Sequence, residues 1–382
     1  MSKKTVMILD ANTRIALALT RDFGLKGINV ITGGTSRLSR SFYSKHSKAH
    51  FLYPSKGDIH EVILFNVKKF KPDTIIPVLD NSFEIMIKNR QEYSLYTNLI
   101  PLPPYAAFNL VRDKYSLMRH ASESNIQTPQ TFYLNSIDEA ENLKEILRYP
   151  VIIKPRLSAG GFGMDIVKSS NSLLDKIIKA KYLFYPDLDS ERSLPIIQEY
   201  IEGEVVNFYA YCEKGNSKVI YMTKTIRQYP VKFGPPIAIV SIKDKIITDI
   251  SINLLKSLEW EGVICLQYII DKKDGVPKLI DANPRLWGAI EAAMVYGVNF
   301  PQMLFKKAIG EELDIEYDYS VGKKFRWILF GEAFYLLRAG NRIRTVINYL
   351  DFKNMKCEIS LCDILPHFAH LLSLLINRSE VR

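Results

Sequence analysis

Several features that mark other classes of protein are scarce or missing in this sequence. Its four cysteines are scattered and form no Cys-x-x-Cys pair, which excludes the common zinc and redox motifs. No apolar run reaches the roughly 20 residues that a membrane-spanning helix needs. The N-terminus carries no secretory signal, so we expect a reducing, cytoplasmic location.

Two familiar glycine loops are also missing. The turn after the first predicted strand, at residues 10–14, reads Asp-Ala-Asn-Thr-Arg, where a dinucleotide fold needs glycines to approach a pyrophosphate. We therefore do not expect NAD. No Gly-Lys-Ser/Thr follows the glycines at 160–163, which excludes a Walker A loop.

The composition itself is ordinary. With 382 residues, 47% apolar and 24% charged, the chain should form two or three domains with enough core to fold without disulfides. Its net charge of +10 would suit nucleic acid, an anionic membrane surface or phosphorylated substrates, and it would equally serve solubility. The charge alone does not choose among them.

Hydrophobic periodicity divides the chain. Strand patterns at 6–9, 28–31 and 74–78 alternate with helical patterns at 15–25 and 59–70, which predicts a βαβαβ unit with a parallel sheet. Pro101, Pro103 and Pro104 mark the end of this unit. Residues 108–310 mix short strands, glycine-rich turns and helices, which is typical of an α+β region with an antiparallel sheet.

The C-terminal tail is predicted to be mainly helical. Its apolar stretches at 325–337 and 343–350 are interrupted or flanked by arginines, and 364–376 carries His367 and His370. A basic amphipathic helix on a membrane surface, packing on the protein body and a homodimer interface all remain open. With no third ligand in view, the two histidines favour a core or surface role over metal binding.

The strongest chemical signal lies at 279–285. It places Asp281, Asn283 and Arg285 at the end of a predicted strand. Because Asp281 and Asn283 are two residues apart, their side chains share one face of an extended segment. Mg²⁺ prefers such hard oxygen ligands. Taken alone, the pattern is also typical of a turn or a solvated strand end.

A predicted hairpin brings a third oxygen donor to the same corner. Residues 262–271 form one strand, Asp274 and Gly275 the turn, and 278–281 the returning strand. Gln267 should then lie beside Asp281 and Asn283. Three oxygen donors leave coordination positions for water and for phosphate oxygens.

A lysine and a glycine-rich hairpin lie upstream. Lys154 is the one lysine in a buried-looking strand at 151–155, and Ser158, Gly160, Gly161 and Gly163 follow it. Such a loop can lay backbone N–H groups over phosphates, while the lysine supplies a point charge. A plain flexible hairpin is the alternative.

Another strand, at 195–204, ends in acidic residues. Glu199 and Glu204 are spaced to meet an adenine amino group and ribose hydroxyls. Acidic strand ends are more often simply solvated.

These signals, in this order, resemble the ATP-grasp superfamily over residues 112–310. Gln127-Thr128-Pro129 resembles the start of the family's small lid subdomain, and the hairpin most resembles the large subunit of carbamoyl-phosphate synthase. The resemblance implies a Rossmann-like pre-ATP-grasp domain at 1–106 and an ATP-grasp domain at 107–313. Within the latter, a lid subdomain at about 125–195 would precede a larger antiparallel-sheet subdomain, and a mainly helical extension would occupy 314–382.

The resemblance also implies a role for each of these residues. ATP would be held by Lys114, Lys154, the phosphate-loop residues Ser158, Gly160, Gly161 and Gly163, the adenine-reading Glu199 and Ile201, and the ribose-binding Glu204. Mg²⁺ or Mn²⁺, with two ions per site, would be held by Gln267, Asp281 and Asn283. Arg285 would face the transferred phosphoryl group, with Lys154 as the second catalytic residue.

The implied reaction is that of an ATP-dependent ligase of small molecules, without nucleic acid. A substrate carboxylate attacks the γ-phosphate, and an amine or another nucleophile opens the acyl phosphate. A carboxyphosphate enzyme of the carbamoyl-phosphate synthase or biotin-carboxylase kind and a non-catalytic nucleotide-binding protein are the alternatives. Two residues depart from the family. Most members have glutamate in place of Asp281, and many have an acidic residue in place of Gln267.

Substrate residues are harder to identify. Arg227 lies in a basic strand that, in the family's order, falls near the acceptor pocket, where it would clamp a carboxylate or phosphate. An exposed strand arginine is the alternative. Arg37, Arg40, Lys45 and Lys48 would form an anion-binding wall or, more simply, a solvated basic loop.

Overall fold

A computed structural model of the chain describes residues 3–184, 194–313, 318–338 and 355–376. Within them, the chain forms one parallel sheet and two mainly antiparallel sheets. This agrees with the predicted mixture of α/β and α+β structure. The predicted apolar stretch at 343–350 lies outside the described residues.

The N-terminal sheet is parallel, as the alternating pattern predicts. Its strands are β1 (Thr5–Ile8), β2 (Asn29–Gly34), β3 (Ser47–Leu52), β4 (Thr74–Ile76) and β5 (Asn98–Leu99), in the order β3-β2-β1-β4-β5. Its helices are α1 (Arg14–Leu25), α2 (Ile59–Phe70), α3 (Asp80–Lys88) and α4 (Arg90–Ser94). This is the order of a Rossmann-like sheet. The sequence analysis missed β3, whose side chains are mostly partly or fully exposed.

Asp10 explains why the first turn needs no glycine. Its φ of +57° lies in the left-handed region. Its carboxylate accepts hydrogen bonds from the N–H groups of Val78 and Leu79 and from the hydroxyls of Ser82 and Tyr53. The turn is therefore tied to the end of β4 and is not left open for a pyrophosphate.

Two helices lead from this unit into a small sheet. They are α5 (Tyr105–Arg112) and α6 (Lys114–Glu123). The small sheet contains β6 (Thr131–Phe132), β7 (Val151–Lys154), β8 (Asp165–Val167) and β9 (Ile196–Glu199), in the order β6-β9-β7-β8, with α7 (Ile137–Leu143) and α8 (Leu173–Phe184). The predicted hairpin around the glycine loop is present as antiparallel β7 and β8.

The large sheet carries most of the predicted metal corner. Its main strands are β10 (Gly203–Glu213), β11 (Asn216–Gln228), β12 (Pro236–Ser241), β13 (Gly262–Asp271) and β14 (Pro277–Asn283). Successive neighbours in the order β14-β13-β10-β11-β12 pair antiparallel. The helices that follow within this region are α9 (Lys245–Ser257), α10 (Ile290–Val295) and α11 (Phe300–Ala308).

Apolar cores cover both faces of the large sheet. On one face, Tyr209 and Trp287 belong to the same core as the N-terminal sheet. On the other face, Phe208 and Met222 pack with α9 and α6. The N-terminal unit therefore lies directly on one face of the large sheet, and the turns after β1 and β4 are brought to that face.

Within the described ranges, the tail contains two strands besides the helices that we predicted. Strands β15 (Lys324–Arg326) and β16 (Met355–Cys357) extend the large sheet beyond β12. Helices α12 (Ala333–Arg338) and α13 (Leu365–Ile376) are present, and no helix in the described ranges combines the length and apolarity needed to cross a membrane. The proposed domain limits, membrane contact and homodimer remain predictions.

Helix α13 packs on the protein body through buried polar groups. Arg21 of α1 donates to His367, and Arg40 donates to His370. Burial, reinforced by these guanidiniums, lowers the pKa of His367 to about 4 and that of His370 to about 3. Both rings are neutral hydrogen-bond acceptors. Arg40 also donates to the Asn12 carbonyl, so its guanidinium is engaged by protein groups, and the anion-binding wall stays a prediction.

Asp363 is the centre of this contact. Its carboxylate accepts hydrogen bonds from Arg21 Nε at 2.9 Å, Ser44 Oγ at 2.8 Å and the Lys45 N–H at 2.9 Å. Burial would raise the pKa of Asp363, but these hydrogen bonds outweigh it and hold the pKa below its usual range. The ion pair between Arg21 and Asp363 therefore joins α1 to the tail.

Replacing Asp363 with alanine should destabilise the fold by about 3 kcal/mol, because Arg21 would be left buried without its carboxylate. The carboxylate's contribution exists above the unfolded-state pKa and is lost as the pH falls through the lowered folded pKa. The stability gap between wild type and variant, measured by urea unfolding, should therefore shrink on acidification. Asp318→Ala, which breaks an exposed pair with Lys243, is the control and should change the midpoint little. Equal effects of the two variants would contradict this assignment.

Candidate active site

One cavity of about 590 Å³ lies where the small sheet, the large sheet and the N-terminal unit meet. Most of the predicted site residues line it. They are Lys114, Lys154, Gly160, Gly161, Glu199, Ile201, Gln267, Asp281, Asn283 and Arg285. Residues that are distant in the sequence thus share one enclosure.

The predicted hairpin forms the floor of the cavity. In the register of β13 and β14, Gln267 lies opposite Asp281, and Cys265 lies opposite Asn283. Gln267 Nε2 donates to Asn207 Oδ1 at 2.8 Å, which fixes the amide and leaves its own oxygen as an acceptor. Asn207, a buried amide on β10, is a cavity residue that the sequence analysis missed.

Two lysines lie above this floor. The Lys114 ammonium is 3.3 Å from an Asp281 oxygen and donates to the Ser158 carbonyl at 2.6 Å. Lys154 donates to Gln198 Oε1 at 2.5 Å. Burial, together with the nearby charge of Lys114, lowers the pKa of Lys154 to about 8, although Asp281 opposes the shift. Among the described residues, this corner places two lysines next to the carboxylate of Asp281.

Arg285 is held by a residue from the N-terminal unit. Its Nε donates to Asp80 at 2.6 Å, and its other nitrogens donate to Asn283 Oδ1 and to the Leu286 carbonyl, both at 2.8 Å. Asp80 is the first residue of α3. It directly follows Val78 and Leu79, whose N–H groups donate to Asp10. The sequence analysis missed Asp80, since nothing local pairs it with a residue 205 positions away.

The glycine loop adopts conformations that other residues rarely reach. Gly160, Gly161 and Gly163 all have positive φ, between 65° and 76°. A side chain at Gly161 would meet the Phe233 carbonyl oxygen, so the loop touches the 231–236 segment across the cavity. Gly160 and Gly161 line this cavity, whereas Ser158 lines a smaller neighbouring one.

The opposite end of the cavity is formed by the segment after β9. Glu199 accepts a hydrogen bond from the Gln130 N–H at 3.3 Å, and Ile201 lies in the lining. Glu204 does not line the cavity, because side chains alternate along β10 and it faces away, where it pairs with Lys224. Val205 occupies the cavity side instead.

Arg227 is also placed elsewhere. It forms a half-buried ion pair with Glu332 of the tail and does not line the cavity. Its guanidinium is thus engaged by the tail and is not that of an exposed strand arginine, while the anion-clamp role stays a prediction. Arg14, the first residue of α1, does line the cavity, as Arg285 does.

Comparison with known proteins agrees with this geometry. Residues 113–316, more than half of the chain, match the family "Carbamoyl-phosphate synthase L chain, ATP binding domain". Biotin carboxylase from Campylobacter jejuni, solved as a beta-gamma-ATP complex, superimposes with a TM-score of 0.69 at 18% identity, over 85% of this chain and 74% of that one.

Other solved structures share the fold at similarly low identity. The biotin carboxylase domain dimer of Hydrogenobacter thermophilus 2-oxoglutarate carboxylase, solved with MgADP and bicarbonate, gives a TM-score of 0.67 at 18% identity, over 85% of this chain and 74% of that one. L-amino acid ligase from Bacillus licheniformis gives a TM-score of 0.64 at 15% identity, over 85% of this chain and 79% of that one.

The family match confirms the predicted resemblance to the ATP-grasp superfamily and, with it, the predicted class of enzyme, an ATP-dependent ligase. The match covers the small sheet, the glycine loop and the hairpin that carries Asp281. The chain therefore belongs to the family of the ATP-binding domain of the carbamoyl-phosphate synthase L chain.

Proposed function

We propose that this chain activates a substrate carboxylate with ATP and joins it to an amine. A carboxylate oxygen attacks the γ-phosphorus, the bond to the β-phosphate oxygen breaks, and ADP leaves. The amine nitrogen then attacks the acyl phosphate carbon, and phosphate leaves while the nitrogen loses a proton. The observation that carries this proposal is the convergence of Lys114, Lys154, Asp281 and Arg285 on one cavity.

The nucleotide would lie along the cavity from the β9 end to the floor. Glu199 and the backbone at Ile201 would contact adenine, and the two lysines and the glycine loop would hold the phosphates. The ribose role that the family resemblance gives Glu204 has no support in its position; Glu202, which does line the cavity, is the better candidate.

The floor suits a divalent ion. Asp281 supplies one carboxylate, and Gln267 and Asn283 supply amide oxygens, a donor set that fits Mg²⁺ when phosphate oxygens complete it. Bound Mg²⁺, in two copies in our proposal, would neutralise phosphate charge. Lys114 would then exchange its contact with Asp281 for one with phosphate.

The protein's own contribution is alignment and charge. Phosphoryl transfer needs in-line positioning and stabilisation of charge on the equatorial oxygens. Arg285, pinned by Asp80 and Asn283, would present its guanidinium to the transferred group without having to reorganise. The glycine loop, which reaches the 231–236 segment, would exclude water from the acyl phosphate.

ADP release, coupled to NADH oxidation, tests this function. Purified protein with MgATP should release ADP only when pooled carboxylates and amines are both present, and mass spectrometry should find an amide product. Release with bicarbonate alone would favour the carboxyphosphate alternative, in line with the fold shared with biotin carboxylase. No ADP with any pool, despite measurable ATP binding, would favour a nucleotide-binding protein.

A further inference from the structure

The cavity continues beyond the residues assigned to ATP and metal. Along β10, Val205, Asn207 and Tyr209 line it in turn, and residues two apart on a strand are separated by about 7 Å. Val205 lies towards the Glu199 end, and Asn207 lies in the row of Gln267. Tyr209 is therefore one step past the floor, on the side away from the proposed adenine end.

An aromatic wall forms this far end. Tyr209 and Trp287 stack with their ring centroids 4.5 Å apart and their planes 13° apart. The Tyr209 hydroxyl is engaged with Thr223 Oγ1 at 3.1 Å. Trp287 follows Arg285 by two residues, so the wall continues directly from the proposed phosphoryl site. The two rings are only 2% and 3% exposed, so they close this end with a small apolar boundary, against which a flat group would pack.

Arg14 adds a positive charge to the same end. It comes from the N-terminal unit and lines the cavity, and its guanidinium lies 4.2 Å from the centroid of the Trp327 ring. One nitrogen donates to the Pro236 carbonyl at 3.3 Å. A guanidinium has five N–H donors, so this contact leaves most of them available.

No carboxylate of the described residues lies within salt-bridge distance of Arg14. Burial lowers the pKa of Arg14 to about 10, while Glu358 and Glu291 oppose the shift from a distance. Glu358 is itself occupied by the N–H groups of Ile328 and Leu329. Arg14 is thus charged at neutral pH and lacks a direct counter-ion within the described ranges, which is costly unless a ligand supplies one.

Gly288 makes room for this guanidinium. A Cβ at that position would lie 2.6 Å from the Arg14 Nη2 atom, closer than van der Waals contact allows. The position of the Arg14 guanidinium therefore depends on a glycine at 288, although the two residues are 274 positions apart in the sequence.

We propose that Arg14 binds a carboxylate of the organic substrate whose flat body packs on Tyr209 and Trp287. This assignment deepens the proposed function, on which it rests for the orientation of the cavity. The carboxylate is either the one that is phosphorylated or one carried by the amine substrate. An Arg14 that only ties α1 to the Pro236 segment would bind no such ligand.

Binding of simple aromatic acids tests this without requiring turnover. In the presence of MgADP, calorimetry compares benzoate with uncharged benzamide, and phenylacetate with phenylacetamide. The wild type should bind each acid at least about 10-fold more tightly than its amide, which corresponds to about 1.4 kcal/mol. Arg14→Ala should bind both members of a pair equally, and Arg14→Lys should keep part of the preference.

Matched variants separate this role from folding. Arg119→Ala removes an exposed arginine outside the cavity and should retain the full preference for acids. Gly288→Ala keeps every charge but displaces the guanidinium, so it should lose the preference. ADP affinity should stay within about twofold of the wild type in each variant, because none of these residues contacts the proposed nucleotide.

The outcomes are distinct. With pooled amines present, benzoate that also supports ADP release from MgATP identifies its carboxylate as the one phosphorylated, whereas benzoate that binds without ADP release under these conditions assigns it to the second substrate. A wild type that does not discriminate acids from amides overturns the proposal, as does an Arg14→Ala protein that still discriminates. Because only binding is measured, failure of the ligase function would appear separately as absent ADP release.

Discussion

Asp281→Asn should lower the rate of ADP release by about 10²–10³-fold, since losing one preorganised charge of an active site typically costs that much. The substitution keeps the side chain's shape but removes a carboxylate that lies beside both Lys114 and Lys154. The variant should bind Mg²⁺ more weakly, and Lys114 and Lys154 should lose the negative charge of Asp281. The coupled ADP assay, run as a Mg²⁺ titration, should show partial recovery at high Mg²⁺.

Asp274→Asn is the matched control. Asp274 lies in the turn of the same hairpin, is about half exposed and is 3.7 Å from Lys278. It lies outside the cavity lining, so its loss should leave ADP release unchanged. If Asp281→Asn behaved like this control, with the same dependence on Mg²⁺, the floor of the cavity would not be a metal site.

Local patterns were enough to predict the elements that build this floor. The strand at 262–271, the Asp-Gly turn and the returning strand were readable because an Asp-Gly turn between two strand patterns is a local signal for a hairpin. Gln267 lies beside Asp281 as predicted, although the turn alone would place it opposite Ile280; a bulge between Gln267 and Tyr268 shifts the register by one residue. The parallel N-terminal sheet was equally readable, because a strand buried on both faces forms a continuous apolar run.

Contacts between distant segments were not readable. Arg227 was expected near substrate, but its partner, Glu332, comes from a tail whose strands join the large sheet. Glu204, to which the family resemblance gave the ribose, lies outside the cavity lining, because a one-residue difference along a strand reverses the direction of a side chain. An ordinary acidic strand end gives no signal that would distinguish Glu204 from Val205.

The N-terminal unit contributes two residues to the site that belong to no recognisable sequence motif. Asp80 and Arg14 follow β4 and β1, where turns at the carboxyl ends of parallel strands meet. The missing glycines at 10–14 argued against a dinucleotide, and the structure gives that turn a different use. The Asp10 carboxylate binds the N–H groups of Val78 and Leu79 and so ties this turn to the end of β4. This contact fixes where α1 begins and therefore the position of Arg14.

Lys154→Met should reduce kcat/KM for ATP by about 10²–10³-fold, again through loss of one phosphate-directed charge. The fold should tolerate the change, because burial already disfavours the charged lysine and methionine fills a similar volume. Thermal unfolding and the coupled ADP assay separate the two effects. Lys245→Ala, at an exposed lysine paired with Asp249, should leave both measurements unchanged.

The same lysine should limit activity at alkaline pH. Because burial lowers its pKa to about 8, the free enzyme loses this charge as the pH rises through 8, and kcat/KM for ATP should fall there. Bound phosphates would raise the pKa again, so kcat should stay flat over the same range. Lys154→Arg, always protonated, should be slower but without the alkaline decline. An unchanged decline in that variant would show that another group carries the titration.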